Sequence, residues 1–210
     1  MVRVKICGIT NIEDALMASQ MGVDALGFIF YPKSPRYVCP EAVREMVMAL
    51  PPFVTTVGVF VNRDVKEISE IMHYCRLNVA QLHGEESANQ CRDLPYKVIK
   101  AFQVKEEQDL KALMPFKEHV QAFLLDTKVK GLYGGTGQTF SWEIALKARN
   151  LGNIILAGGL NTENVKLALT QVNPYGVDIS SGVEISPGRK DREKLVALMK
   201  EIREVTYGTR

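Results

Sequence analysis

No two of the four cysteines stand in a C-x-x-C arrangement; they lie at positions 7, 39, 75 and 91. The three histidines, His73, His83 and His119, also lack metal-ligand spacing, so neither a zinc site nor any other metal site is expected. No uninterrupted apolar stretch approaches the ~20 residues that a membrane span needs. Arg3 and Lys5 break the early apolar run, so no signal-peptide pattern is expected. Scattered cysteines in such a chain read as reduced thiols of a cytoplasmic protein. The formal net charge is only +2 and is spread along the chain, which gives no reason to expect nucleic acid or a membrane surface as a partner. Linkers and low-complexity stretches are missing too. One domain covering residues 1–210 is the expectation.

What is present is a regular alternation. The 210 residues are 46% hydrophobic, enough to bury a full core. Apolar or β-branched runs occur at Arg3–Cys7, Ala25–Tyr31, Thr56–Val61, Val79–His83, Lys97–Phe102, Ala122–Thr127, Asn153–Ala157 and Gly176–Ser180. Amphipathic segments lie between them: Ile12–Met21, Glu41–Leu50, Val65–Cys75, Asp109–Phe116, Ser141–Asn150 and Thr162–Val172, with Arg192–Val205 at the end. Asn11, Ser141 and Asn161 are candidate helix caps. Strand and helix alternating at this interval predict an α/β fold, a single (β/α)8 TIM barrel. An open doubly wound sheet is the competitor, and eight strands disfavour it.

Strand parity predicts which side chains enter the barrel, because neighbours point to opposite faces. With Val4 and Ile6 toward the helices, Lys5 and Cys7 point inward. By the same rule Phe123 and Leu125 face out while Leu124 and Asp126 face in. Val177 and Ile179 face out, leaving Asp178 and Ser180 inward, and Gln81 and His83 also point in. Buried polar groups are costly unless paired, and an ion pair between Lys5 and Asp178 would meet that cost.

Chemistry-bearing groups gather at the predicted strand ends. Cys7 and Asp126 each close a strand, and in a barrel both emerge at the mouth where such folds do their chemistry. A proton acceptor facing a proton donor suggests proton transfer within a sugar, without a cofactor. Gly158-Gly159 follows the seventh strand and Ser180-Ser181-Gly182 the eighth, the two loops with which barrels often bind phosphate. Gly134-Gly135-Thr136-Gly137 sits in a loop longer than usual and is a candidate lid, though it lacks dinucleotide spacing. Arg36 follows the second strand in a segment stiffened by Pro32 and Pro35, where a guanidinium could grip a carboxylate.

These residues resemble a known family. Lys5-Ile-Cys7-Gly8-Ile-Thr10, Gly27-Phe28-Ile-Phe, Ser34-Pro35-Arg36, Gly58-Val-Phe-Val-Asn62, Gln81-Leu-His83-Gly84 and Leu124-Leu-Asp126 are similar, in order, to phosphoribosylanthranilate isomerases. The likeness continues through Gly134-Gly-Thr-Gly137, Leu156-Ala-Gly158-Gly159-Leu-Asn161 and Gly176-Val-Asp178-Ile-Ser-Ser181-Gly182-Val-Glu184.

The resemblance implies an Amadori rearrangement in tryptophan biosynthesis, with Asp126 as general acid and Cys7 as general base. It implies that Arg36, Asp178 and His83 bind substrate, that Gly158, Gly159, Ser180, Ser181 and Gly182 bind its phosphate, and that Gly135 and Gly137 belong to a lid. A nearby cation is expected to lower the thiol pKa of Cys7. The partner would be a phosphorylated sugar, with the protein a monomer or homodimer. The histidine-pathway aldose isomerase is disfavoured by the absence of a second phosphate loop pair and by a cysteine where that family uses aspartate. Indole-glycerol-phosphate synthase is disfavoured for lack of its lysine and glutamate constellation. A non-catalytic phosphate sensor is disfavoured by the intact Cys7 and Asp126.

Overall fold

The computed structural model describes residues 2–126 and 142–208. Eight parallel strands close in chain order: β1 (Arg3–Cys7), β2 (Ala25–Ile29), β3 (Thr55–Phe60), β4 (Val79–Leu82), β5 (Lys97–Gln103), β6 (Ala122–Asp126), β7 (Ile154–Ala157) and β8 (Gly176–Ile179). Pairing of β1 with both β2 and β8 seals the sheet and leaves no open edge. The (β/α)8 expectation is met.

Side-chain alternation divides the apolar residues into two cores. Val57, Val79, Ile99, Ala101, Ala122, Leu124, Ile155 and Ala157 fill the barrel. Val4, Ile6, Phe123, Leu125, Val177 and Ile179 belong to the outer core against the helices, as parity predicts. The polar residues Lys5, Gln81 and Asp178 are buried among the inward-facing positions. All strands run the same way, so every loop that follows a strand lies at that rim.

Seven α-helices surround the barrel among the described residues: α1 (Ile12–Gln20), α2 (Pro40–Ala49), α3 (Val65–Cys75), α4 (Ala88–Asp93), α5 (Trp142–Ala148), α6 (Val165–Val172) and α7 (Arg192–Tyr207). Asn11 caps α1, its Oδ1 accepting the Asp14 N–H at 2.9 Å. Helix α4, between β4 and β5, is not among the amphipathic segments above because it is too short to show a period; its signature is the Ser87–Gln90 capping box. Two expectations need correction. The segment expected as a helix at Asp109–Phe116 is a 3₁₀ stretch, Glu107–Phe116, containing Pro115, which removes an N–H that an α-helix needs. Regular helix α6 begins at Val165 rather than Thr162, because Asn161 Oδ1 is spent on a preceding turn, accepting the N–H groups of Glu163 and Asn164. Ser141 lies outside the described residues.

One element has no counterpart in the sequence reading. After β8 a 3₁₀ turn (Ser181–Val183) leads into a small antiparallel hairpin, β9 (Glu184–Ser186) and β10 (Arg189–Lys190). It carries two charged residues to the rim, as described next. No helix among the described residues is long and apolar enough to cross a membrane.

Candidate active site

Cys7 ends β1 and Asp126 ends β6, so the thiol and the carboxyl stand on one rim. Beneath Cys7, Lys5 Nζ lies 2.9 Å from Asp178 Oδ1, and both side chains are buried. The expected pair forms because Lys5 and Asp178 are register partners on adjacent strands. Burial opposes the Lys5 charge, but Asp178 and Cys7 together outweigh it and hold the ammonium above its ordinary value.

The expected lowering of the Cys7 thiol is not the net result. The cation is present, since Lys5 and Lys190 both pull the thiol down. Burial is the largest influence, however, and with Asp178 it pushes Cys7 above its ordinary value. Cys75 and Cys91 are pushed to about 11, again chiefly by burial. All four cysteines are free of disulfides.

His83 links strand four to Asp126. Gln81 Nε2 donates to His83 Nδ1 at 3.0 Å, and the other ring nitrogen, Nε2, faces Asp126 Oδ2 at 3.8 Å.

Arg36 is held more tightly than a solvated loop arginine. Its Nε and Nη2 donate to both oxygens of Glu184 at 2.6–3.1 Å, and this bond chiefly raises its pKa. Part of the fork is therefore committed, and among the described residues only Nη1 makes no hydrogen bond. Glu184 also accepts from Lys190 Nζ at 2.9 Å. Burial works against the Glu184 charge, but Arg36 and Lys190 overcome it and hold the carboxyl below its usual range. Lys190 Nζ donates as well to the Cys7 carbonyl at 2.6 Å, and its backbone N–H to Asp14 Oδ2 at 2.8 Å. The hairpin thus ties Arg36 to the end of β1. Sequence reasoning missed Glu184 and Lys190; Glu184 stood within a quoted motif, whereas Lys190 gave no signal.

At the other side of the mouth, Gly158 and Gly159 both have positive φ, +88° and +73°, which bares the loop backbone. Gly182 lies against the Leu160 carbonyl with no room for a Cβ, so the loops after β7 and β8 are in direct contact. Ser180 Oγ is buried and has no hydrogen-bond partner among the described residues. Ser181 opens the 3₁₀ turn that follows. The candidate lid glycines Gly135 and Gly137 lie outside the described residues. Among the described residues no three His, Cys, Asp or Glu side chains group as metal ligands.

This geometry suits proton transfer on an anionic sugar. A profile of the N-(5'-phosphoribosyl)anthranilate (PRA) isomerase family matches residues 4–201. The chain belongs to that family. The Citrifermentans bemidjiense N-(5'-phosphoribosyl)anthranilate isomerase is 49% identical over 205 residues, covering 98% of both chains. The crystal structure of the Thermotoga maritima isomerase, an enzyme described as dimeric, aligns with a TM-score of 0.89 at 47% identity, over 98% of this chain and 99% of that one. A family structure in complex with reduced 1-(o-carboxyphenylamino)-1-deoxyribulose 5-phosphate aligns with a TM-score of 0.87 at 45% identity, over 97% and 99%. The chain is accordingly an isomerase of tryptophan biosynthesis.

Proposed function

We propose that this barrel, one domain over residues 1–210, converts N-(5-phosphoribosyl)anthranilate to 1-(2-carboxyphenylamino)-1-deoxyribulose 5-phosphate with Asp126 as general acid and Cys7 as general base. Asp126 gives a proton to the furanose ring oxygen as the C1–O bond breaks, and the anthranilate nitrogen becomes an iminium. That cation acidifies the C2–H, so a modest base suffices. The Cys7 thiolate takes the C2 proton, the C2–H electron pair becomes the C1=C2 bond, and the nitrogen is neutralised. The enolamine then tautomerises to the ketone. Each step moves a proton between the substrate and Asp126 or Cys7, or an electron pair within the substrate, so the chemistry balances without a cofactor.

The rest of the rim has matching roles. Arg36, oriented by Glu184, would hold the anthranilate carboxylate through its uncommitted edge. Asp178 would orient the amine, and His83 would contact substrate beside Asp126. Gly158, Gly159, Ser180, Ser181 and Gly182 would receive the phosphate. The reading fits a cytoplasmic enzyme with a small phosphorylated substrate and no nucleic-acid partner.

The observation that carries this reading is a thiol and a carboxyl that each end an inward-facing strand position on one rim. The test is a fluorescence assay following loss of the anthranilate-sugar substrate. Asp126→Asn and Cys7→Ala are each expected to lose at least ~10²-fold in kcat, a typical general acid–base contribution. Near-native turnover in either purified variant would remove the mechanism.

We also infer that two copies associate through the end of the barrel opposite the rim. Phe53, in the loop before β3, is 96% exposed. It borders a hollow of about 590 Å³ lined partly by Val57, Val79, Ile99 and Ile155. Knob and hollow share one face, as an isologous contact under a two-fold axis requires. Sedimentation velocity is expected to give a dimer for the wild type and a monomer for Phe53→Asp. A monomeric wild type at micromolar concentration would contradict this.

A further inference from the structure

Gly27 has an ordinary backbone conformation, yet a side chain there would have to displace the ends of two neighbouring side chains. A Cβ at that position would lie 2.8 Å from Cys7 Sγ and 2.9 Å from Lys5 Nζ. The sulfur and the ammonium therefore flank one bare point on the neighbouring strand, where Gly27 is the register partner of Cys7. Lys5 Nζ donates one hydrogen bond to Asp178 and lies beside the same bare point as the Cys7 sulfur. Both groups are buried, so little water screens the interaction.

We propose that Lys5 is the positioning residue that readies Cys7 for proton abstraction, its ammonium shared between Asp178 and the Cys7 sulfur, with Gly27 kept bare so that the two can meet. The inference rests on the reading of Cys7 as the general base. In the step it describes, the S–H bond breaks, the proton goes to water, and the electron pair stays on sulfur beside a lysine that remains an ammonium. The thiolate then takes the sugar C2 proton and re-forms S–H. No proton passes through Lys5. The other charged groups facing Cys7 are Asp178 on β8, Lys190 on β10 and Arg36 after β2. Asp178 opposes thiolate formation, so a substrate amine that engages Asp178 would weaken that opposition and leave Lys5 to the sulfur. Substrate binding and activation of the base are thereby linked.

The test compares the wild type with Lys5→Met, Lys5→Arg and Gly27→Ala, each with and without Cys7→Ser. Ultraviolet absorbance of the thiolate, taken as the difference within each pair, reads the ionisation midpoint of Cys7 alone. Lys5→Met is expected to raise that midpoint by about one pH unit or more, the scale of a lost neighbouring opposite charge. Its kcat should fall about tenfold near neutral pH, recover as pH rises, and leave KM little changed. Lys5→Arg keeps the charge and should restore most of the midpoint. Gly27→Ala wedges the pair apart and should shift the midpoint in the same direction by less. Should Lys5→Met fail to fold, Gly27→Ala decides the question. An unmoved or lowered Cys7 midpoint in the folded variants overturns the proposal. Full activity of Cys7→Ala would instead defeat the general-base reading and leave the measured midpoints to judge the pair by themselves.

Discussion

Two buried lysine–carboxylate pairs of nearly equal length stand in different parts of the barrel, and their surroundings differ. Lys100 Nζ lies 3.1 Å from Glu86 Oε2, and Lys5 Nζ lies 2.9 Å from Asp178 Oδ1. Lys100 points outward from β5 and also donates to the carbonyls of Leu82, Gly84 and Ala101. Glu86 in turn accepts the backbone N–H groups of Asn62 and Gly84. Each charge is met on several sides, and the pair staples the loops after β3 and β4 together. The Lys5 pair points inward, where the ammonium has one carboxylate and a thiol for neighbours. A fully satisfied pair is structural; a pair with capacity left beside a reactive atom can serve chemistry. Desolvation cost is common to both, so the number of remaining partners tells them apart.

The largest effect that would sharpen this contrast is on stability. Lys100→Met leaves the Glu86 carboxyl buried without its cation, and breaking such a pair costs about 3–5 kcal/mol. Urea denaturation should show that loss, while kcat per folded molecule stays near the wild-type value. A large fall in kcat with unchanged stability would reverse the assignments of the two pairs.

Next in size is Arg36→Ala. If the guanidinium grips the anthranilate carboxylate equally in the ground and transition states, KM should rise about tenfold, the worth of one charged hydrogen bond, with kcat nearly unchanged. Steady-state kinetics separates this from a loss confined to kcat, which would mean that the contact forms only in the transition state.

The smallest effect concerns pH. The folded pKa of Glu184 is depressed, so its contribution to stability is complete above its ordinary value of 4.5 and is lost as pH falls through the lower folded value. Denaturation of the wild type and Glu184→Gln at stepped acid pH should show the gap between them narrowing as pH drops. A gap independent of pH would mean that the Glu184 charge does not hold the hairpin against Arg36.

The inner pair was legible in the sequence and the outer one was not, for a physical reason. Lys5 and Asp178 sit at inward positions of strands whose alternation is clear, and they become neighbours once the barrel closes. Lys100 falls on the helix-facing side of β5, where a lysine is expected to reach solvent, and its partner Glu86 comes from a loop that parity does not govern. The same divide runs through the site. Strand ends deliver Cys7, Asp126 and Asp178 by alternation alone. Glu184 and Lys190 arrive on a hairpin too short to leave a periodic trace, although they set the orientation of Arg36. Helix α4 escaped for a related reason, since its only sign is the Ser87–Gln90 box. The net thiol shift was also beyond the sequence, because it depends on how burial weighs against Lys5.

The central claim, that Cys7 and Asp126 flank the reacting sugar, is tested most directly by a crystal structure of this chain with the reduced product analogue bound. The account predicts Cys7 Sγ within about 3–3.5 Å of the sugar C2, the spacing of a near-attack geometry, with the Asp126 carboxyl on the opposite side of the sugar and the phosphate against Gly159 and Gly182. A ligand seated with its C2 facing neither Cys7 nor Asp126 would contradict it.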